Sequence, residues 1–252
     1  KCLRPLPEKW HGLKDMEQRY RYRYLDLISN PDVKSIFFKR SKILNTVRKV
    51  LDGQGFLEVD TPVLQPIYGG ANARPFKTFL HDLKMDVYLR VADELYLKRL
   101  VVGGFEKVYE IGRDFRNESI DRTHNPEFTM MECYWAFADY HDVMELTQEI
   151  FTTTAKEVLT SSTFEYQGHT INMKTPWQKI TMKDSLKKYA KIEFDKLKDA
   201  DLKKLIKEHK LDVDDKASRG MIMQALFDEL VEEHLIQPTF IIDHPRETTP
   251  LC

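Results

Sequence analysis

Cysteine is scarce in this sequence and unpatterned. Cys2, Cys133 and Cys252 are the only three in 252 residues, and no two stand in a CxxC spacing. That excludes a disulfide scaffold and a cysteine-based zinc site, and it suits a reducing cytoplasm. Histidines do not fill the gap: no HxxxH-type spacing occurs, and His11, His81, His141, His169, His209 and His234 read as surface or structural residues. No apolar run approaches the roughly 20 residues of a membrane span, and the N-terminus lacks a signal-peptide apolar region. No membrane partner is expected. An excess of one charge is also missing. Lys and Arg total 39 against 40 Asp and Glu, a formal net charge of −1. Whole-chain electrostatics therefore give no case for nucleic acid, although a local basic face stays open. There are no internal repeats and no low-complexity tracts.

What is present is globular. The chain is 42% hydrophobic and 31% charged, enough apolar material for a core. Residues 1–15 read as an extended linker, kept out of a helix by Pro5 and Pro7. Residues 16–30 predict a helix whose Tyr and Leu side chains pack while its arginines stay in water. Residues 33–54 predict a helix with Ile36, Ile43, Leu44, Val47, Val50 and Leu51 on one face. Asn30 or Asp32 starts it; Gly53 and Gly55 stop it. FLEVDTPVL then reads as a strand ended by Pro62. A Gly- and Pro-rich loop over 66–82 leads into a strand, and MDVYLRV (85–91) alternates as a half-buried one. Asp93 can cap the helix ELYLKRLVV, which Gly103 and Gly104 terminate. Two strands at about 107–118 and 127–135 follow, then a helix at 142–159 with Val143, Leu146, Ile150 and Phe151 on one face. A small hairpin over 163–173 turns at Gln167–Gly168. The lysine-rich residues 183–216 read as short solvated helices. Ser218 caps a further helix, and PTFIID closes the set as a strand. This order lacks regular βαβ alternation. It predicts an α+β fold, an antiparallel sheet flanked by helices.

The stretch from Gly112 to Asp142 carries the chemistry. Strand side chains alternate faces. In VYEIGRDFRNE the residues Tyr109, Ile111 and Phe115 suit a core, while Glu110, Asp114, Arg116 and Glu118 fall on the other face. In EFTMMECYW the residues Met131, Cys133 and Trp135 pack, while Phe128, Met130, Glu132 and Tyr134 share the opposite face. A hairpin of the two makes a polar shelf, with Arg116 and Glu118 roughly 6–7 Å apart. An arginine fork suits phosphate or carboxylate, an exposed ring can stack a base, and acids nearby suit a cation. A salt-bridged polar sheet face, with Arg116 paired to Glu118 or Glu132, fits the spacing equally well.

FRNE followed by HNPEFTMMECYWAFADYHD resembles motif 2 of the class II aminoacyl-tRNA synthetases, in the version of the lysine-specific branch. The likeness extends along almost the whole chain. LRPLPEKWHGLKDMEQRYRYRYLDLI resembles the segment that joins an anticodon-binding domain to the catalytic domain. The helix at 36–52 with GFLEVDTPVL is similar to motif 1, with Pro62 as its proline. GGANARPF and DELYLKRLVVGGFEKVYEIGRDFRNE are similar to lysine-pocket sequences, and QPTFIIDHP to a later strand. FRxE alone is a weak signal; the ordered set is specific.

The resemblance implies activation of L-lysine by ATP to lysyl-adenylate and its transfer to tRNA(Lys), with ATP and magnesium (Mg2+) at the site. Arg116 would bind the α-phosphate and the lysine carboxylate. Glu118 would accept from the adenine amine with Asn117 beside it, and Phe128 would stack on adenine. His124 and Asn125 would reach the outer phosphates. The Gly70 carbonyl and Glu94 would hold the α-ammonium, and Glu132 and Tyr134 would face the ε-ammonium. The residues holding Mg2+ are expected outside this sequence, as are motif 3 and the anticodon-binding (OB) domain. The domain expectation is a linker at 1–30 and a partial catalytic domain at 31–252, with a helical lysine-rich insert at about 174–235. Such a fragment is expected to be weak or inactive alone, and a homodimer through the motif 1 region is implied. Aspartate or asparagine specificity, a paralogue that modifies an elongation factor, and a synthetase-derived binding or regulatory module are the competing readings.

Overall fold

The computed structural model describes residues 12–214 and 216–249. Cys2, His11, Cys252 and most of the expected linker at 1–15 lie outside the described residues. The chain divides into two compact units, Lys1–Leu146 and Thr147–Cys252.

In the first unit the expected helix over 16–30 is two short ones, α1 (Met16–Arg21) and α2 (Arg23–Ser29), broken at Tyr22. The expected packing holds only in part: Tyr22, Leu25 and Leu27 are half-buried and Arg21 is exposed. Tyr20 and Tyr24 are exposed, while Arg19 and Arg23 both pair with the fully buried Asp26. A buried carboxylate needs donors. Burial pushes the Asp26 carboxyl up, but Asn30, Arg19 and Arg23 together hold it below its usual value.

Helix α3 (Pro31–Gly53) places Pro31 in its first turn, where no N–H is required. Its 3.6-residue pattern describes only its C-terminal turns. Val50 and Leu51 are buried, but Ile36 and Ile43 are exposed, as are Phe37 and Phe38.

The predicted strand over 56–64 is reduced to β1 (Leu57–Glu58), which runs parallel to β5 (Lys107–Phe115). Beyond Pro62 the chain pairs again as β2 (Leu64–Gln65) against β4 (Met85–Leu89), with β3 (Lys77–Leu80) on the other edge of β4. Helix α4 (Glu94–Val102) ends at Gly103, as expected. The hairpin β5–β6, with β6 over Glu127–Trp135, is the longest pairing among the described residues. Leu51, Phe56, Val91, Leu97, Val108 and Tyr109 form the buried apolar set around it.

In the second unit, β7 (Thr163–Tyr166) and β8 (His169–Asn172) turn at Gln167 and Gly168, both at positive φ. That is the turn whose twist matches two antiparallel strands. β9 (Gln178–Thr181) pairs in parallel with β10 (Thr239–Ile242). The lysine-rich region is less solvated than its composition predicts. Leu186, Phe194 and Leu202 pack with Ile222, Leu226 and Phe227 of α5 (Arg219–Leu230) in one core. The Ser218 hydroxyl accepts from the Met221 N–H and caps α5 as expected. Among the described residues the fold is mixed α and β, with four antiparallel strand pairings and two parallel ones. Among the described residues, no helix is long and apolar enough to cross a membrane.

Candidate active site

The β5–β6 register sets Val108 opposite Tyr134, Glu110 opposite Glu132, Gly112 opposite Met130 and Asp114 opposite Phe128. Opposed residues of an antiparallel pair share a face. The even-numbered face inferred from the alternation therefore exists, and Tyr109 and Ile111 lie on the other with Cys133 and Met131.

Its extent differs in three ways. Strand β5 stops at Phe115 rather than near 118. The Phe115 N–H donates to the Arg90 carbonyl, and the Asn117 N–H to the Arg74 carbonyl at 2.8 Å. Glu118 thus leaves the sheet, and its Oε1 accepts from the Arg74 N–H at 3.3 Å. Secondly, Glu110 and Asp114 are buried beneath the face instead of lying open on it. Thirdly, the Asp93 side chain does not cap α4; it turns inward to Arg90, 3.0 Å away.

Arg116 stays on the face. Its guanidinium lies 5.1 Å from the centroid of the Phe128 ring, and its Nε donates to the Val91 carbonyl at 3.4 Å. Neither Glu118 nor Glu132 is its ion-pair partner, so the salt-bridged sheet face is not what forms. Beside it opens a cavity of about 690 Å³ lined by Arg116, Glu118, Asp121, His124, Asn125 and Phe128. The loop that closes it is ordered by Asp121, which accepts from the N–H groups of Thr123 and His124 and pairs with His124 Nδ1, each at 2.7 Å. These donors, the Thr123 N–H foremost, hold the Asp121 carboxyl well below the usual carboxylate range. The Asn125 side chain donates to the Glu127 carbonyl at 2.6 Å. On the other side of Glu118, Asn117 lines a second space with Asn72 and Arg74.

The residues expected to hold an amine gather around the turn into α4. Gly70 sits at φ +87°, and a Cβ there would lie 2.9 Å from Glu94 Cβ and 3.1 Å from Ala92 Cβ. Glu94 pairs with Lys98 at 2.6 Å. Glu132 Oε1 accepts from the Asp93 N–H at 3.2 Å, and its Oε2 accepts from the Tyr134 hydroxyl at 3.0 Å. Burial pushes the Tyr134 phenol up, and the charges of Glu132, Glu94 and Asp93 add to it.

Sequence reasoning missed Arg90. Alternation in MDVYLRV put it on the wet side, yet its side chain is 2% exposed. Its Nε donates to the Arg113 carbonyl at 2.9 Å, and its Nη1 reaches Thr61 and Glu110. Asp114 lies 3.1 Å away. Gly112 makes room: a Cβ there would be 1.9 Å from Arg90 Nη2. The signal was available in Glu110, Asp114 and Glu132, three acids on one face with a glycine among them. Asp93, Asp114 and Glu132 are spaced as metal ligands could be, within 4.8 Å of one another. Two of them, Asp93 and Asp114, already face the Arg90 guanidinium.

Residues 15–252 match the family of tRNA synthetases class II (D, K and N). The chain belongs to that family. Among curated relatives it is 54% identical over 253 residues to the lysine–tRNA ligase of Roseiflexus sp. (strain RS-1). It is 55% identical over 255 residues to that of Pelotomaculum thermopropionicum. Each match takes in the whole of this chain and 52% and 50% of the relative. The chain spans about half the length of the curated relatives it matches.

Proposed function

We propose that these residues bring ATP and L-lysine together in a lysine–tRNA ligase, forming lysyl-adenylate that is then passed to the terminal ribose of tRNA(Lys). The lysine carboxylate attacks the α-phosphorus, and pyrophosphate leaves. Two anions must meet, so a fixed cation between them lowers the barrier. Arg116 takes that role, with Phe128 stacking the adenine on the same side of the sheet. Glu118 and Asn117 read the adenine edge; His124 and Asn125 reach the outer phosphates. Gly70, Glu94, Glu132 and Tyr134 receive the two ammonium groups, whose burial demands opposite charge.

The observation that carries this reading is Arg116 lying over Phe128 while its Nε reaches the strand end that leads to Glu94. Mg2+ would neutralise the phosphates when bound. Among the described residues two members of the one close carboxylate group already pair with Arg90, so no residue here is assigned to it. The exposed Ile36, Phe37, Phe38 and Ile43 of α3 support a homodimer through this helix. The domain reading stays a proposal: a linker at 1–30, a catalytic part at 31–252 and a helical insert at about 174–235, in a cytoplasmic enzyme.

The test is thermal denaturation with ligands. ATP with L-lysine should raise the melting temperature, whereas ATP with aspartate or asparagine should not. A larger shift with either of those acids would reassign the substrate. Gly70→Ala should weaken lysine binding about tenfold with little loss in ATP binding, because a Cβ at positive φ is strained and meets Glu94. Calorimetric titration with each ligand reads both effects, and equal losses for the two would place Gly70 elsewhere.

A further inference from the structure

Four carboxyl groups and one guanidinium lie together: Asp93, Glu110 and Asp114 pair with Arg90, and Glu132 comes within 4.8 Å of Asp93 and Asp114. Asp93 and Asp114 are fully buried. No donor reaches any of their four carboxylate oxygens with hydrogen-bonding geometry, although Arg90 stands 3.0 and 3.1 Å from one oxygen of each. Glu132 is different, since the Asp93 N–H reaches one of its oxygens and the Tyr134 hydroxyl the other. So the cluster holds more negative charge than Arg90 can balance, and two of its acids lack donors. A proton on one of them supplies both a donor and a unit of positive charge.

We propose that Asp93 and Asp114 are specificity-determining residues that share one proton in the free protein and release it when a ligand ammonium settles beside Glu132. This rests on the reading that lysine occupies the pocket. Neither residue needs to touch the ligand. The ammonium keeps its own protons, the shared proton leaves to solvent, and the charge of the cluster is conserved across binding. A neutral side chain offers no such exchange, so the pair makes the pocket demand a cation.

Every charged group around the pair acts in this balance. Asp93 faces Asp114, Arg90, Glu110 and Glu132; Asp114 faces Arg90, Glu132, Asp93 and Arg116. Burial, then Asp114, pushes the Asp93 carboxyl up to about 8, against the pull of Arg90. Burial pushes Asp114 up as well. The proton is therefore present near neutral pH and available for release. A cation arriving at Glu132 lowers the affinity of the pair for it. Tyr134 is pushed too high to supply a proton in that range.

The test is calorimetric titration of the complete protein with L-lysine at pH 7.5, in buffers of different ionisation enthalpy. The slope against that enthalpy counts protons, and release of roughly 0.5–1 per lysine is expected. In Asp114→Asn the amide donates permanently to Asp93, and release should fall to near zero while lysine still binds. Should that variant fail to fold, the unmodified protein decides. Its lysine dissociation constant should fall as pH rises from 6.5 to about 8, by up to about tenfold per pH unit. Lysine binding without proton release, equal release in Asp114→Asn, or a flat pH profile would each overturn the proposal. No lysine binding at all would instead overturn the reading on which it rests, and the proposal with it.

Discussion

Arg116→Ala is expected to lower lysine-dependent ATP–pyrophosphate exchange by about 10³-fold, or about 4 kcal/mol of transition-state stabilisation. Removing one well-placed donor from a developing charge costs about 10²–10³ in turnover. Arg116 offers a full charge as well as donors, so the upper end applies. It is also partly fixed before any ligand arrives, by the ring of Phe128 at 5.1 Å and the carbonyl of Val91. On the proposed role of Arg116, little ordering would remain to be done when a phosphate binds. The loss should fall mainly on kcat, since the repulsion between carboxylate and α-phosphate is greatest as the two approach. Arg116→Lys keeps the charge but loses the planar fork and the face-on contact with Phe128. It should recover only part of the rate. Pyrophosphate exchange on the complete protein, with melting temperature as the control for folding, measures both. Exchange within tenfold of the unmodified protein in Arg116→Ala would place the reacting phosphate elsewhere.

What the sequence disclosed about this site follows from which forces are local. Alternation along β5 and β6 is a property of the strand itself, so the face shared by Arg116, Phe128, Glu132 and Tyr134 could be read directly. Helix ends were legible where a local signal sets them, as at Ser218 and Gly103, and so was the hairpin turn at the positive-φ pair Gln167–Gly168. The errors arise where a distant partner decides. Strand β5 ends at Phe115: the Arg116 N–H still reaches the Pro126 carbonyl, but the Asn117 N–H turns away to the Arg74 carbonyl, and nothing in FRNE announces that. Arg19 and Arg23 leave water for Asp26. The apolar pattern of α3 predicted one buried face, but Ile36 and Ile43 have no cover within the described residues. Arg90 is the largest miss, because its buried state depends on acids 20 to 24 positions away that only folding assembles.

That buried arginine gives the largest expected effect on stability. Arg90→Met, close in volume, should cost about 3–5 kcal/mol, the usual price of stranding a buried charge. Here the stranded groups are Asp93, Glu110 and Asp114, and the Arg113 carbonyl loses a donor besides. The pH dependence follows from sign. The folded-state value of Asp93 is raised above its unfolded one, so the folded chain binds the proton more tightly. That contribution favours folding at low pH and is lost as pH rises from about 4 towards about 8. Without Arg90 the repulsion grows, so the deficit of Arg90→Met should be smaller at pH 5.5 than at pH 8.5. Adding Asp114→Asn to Arg90→Met should return part of the lost stability, since it removes one uncompensated charge. Urea denaturation midpoints at the two pH values read all three chains. If the double variant is less stable than Arg90→Met at pH 8.5, lost packing rather than stranded charge is the cause. The same substitution loosens the segment that offers the Val91 carbonyl to Arg116 and the Asp93 N–H to Glu132. Loss of ATP and lysine binding should therefore accompany the loss of stability, linking the two halves of the site through one residue that touches neither ligand.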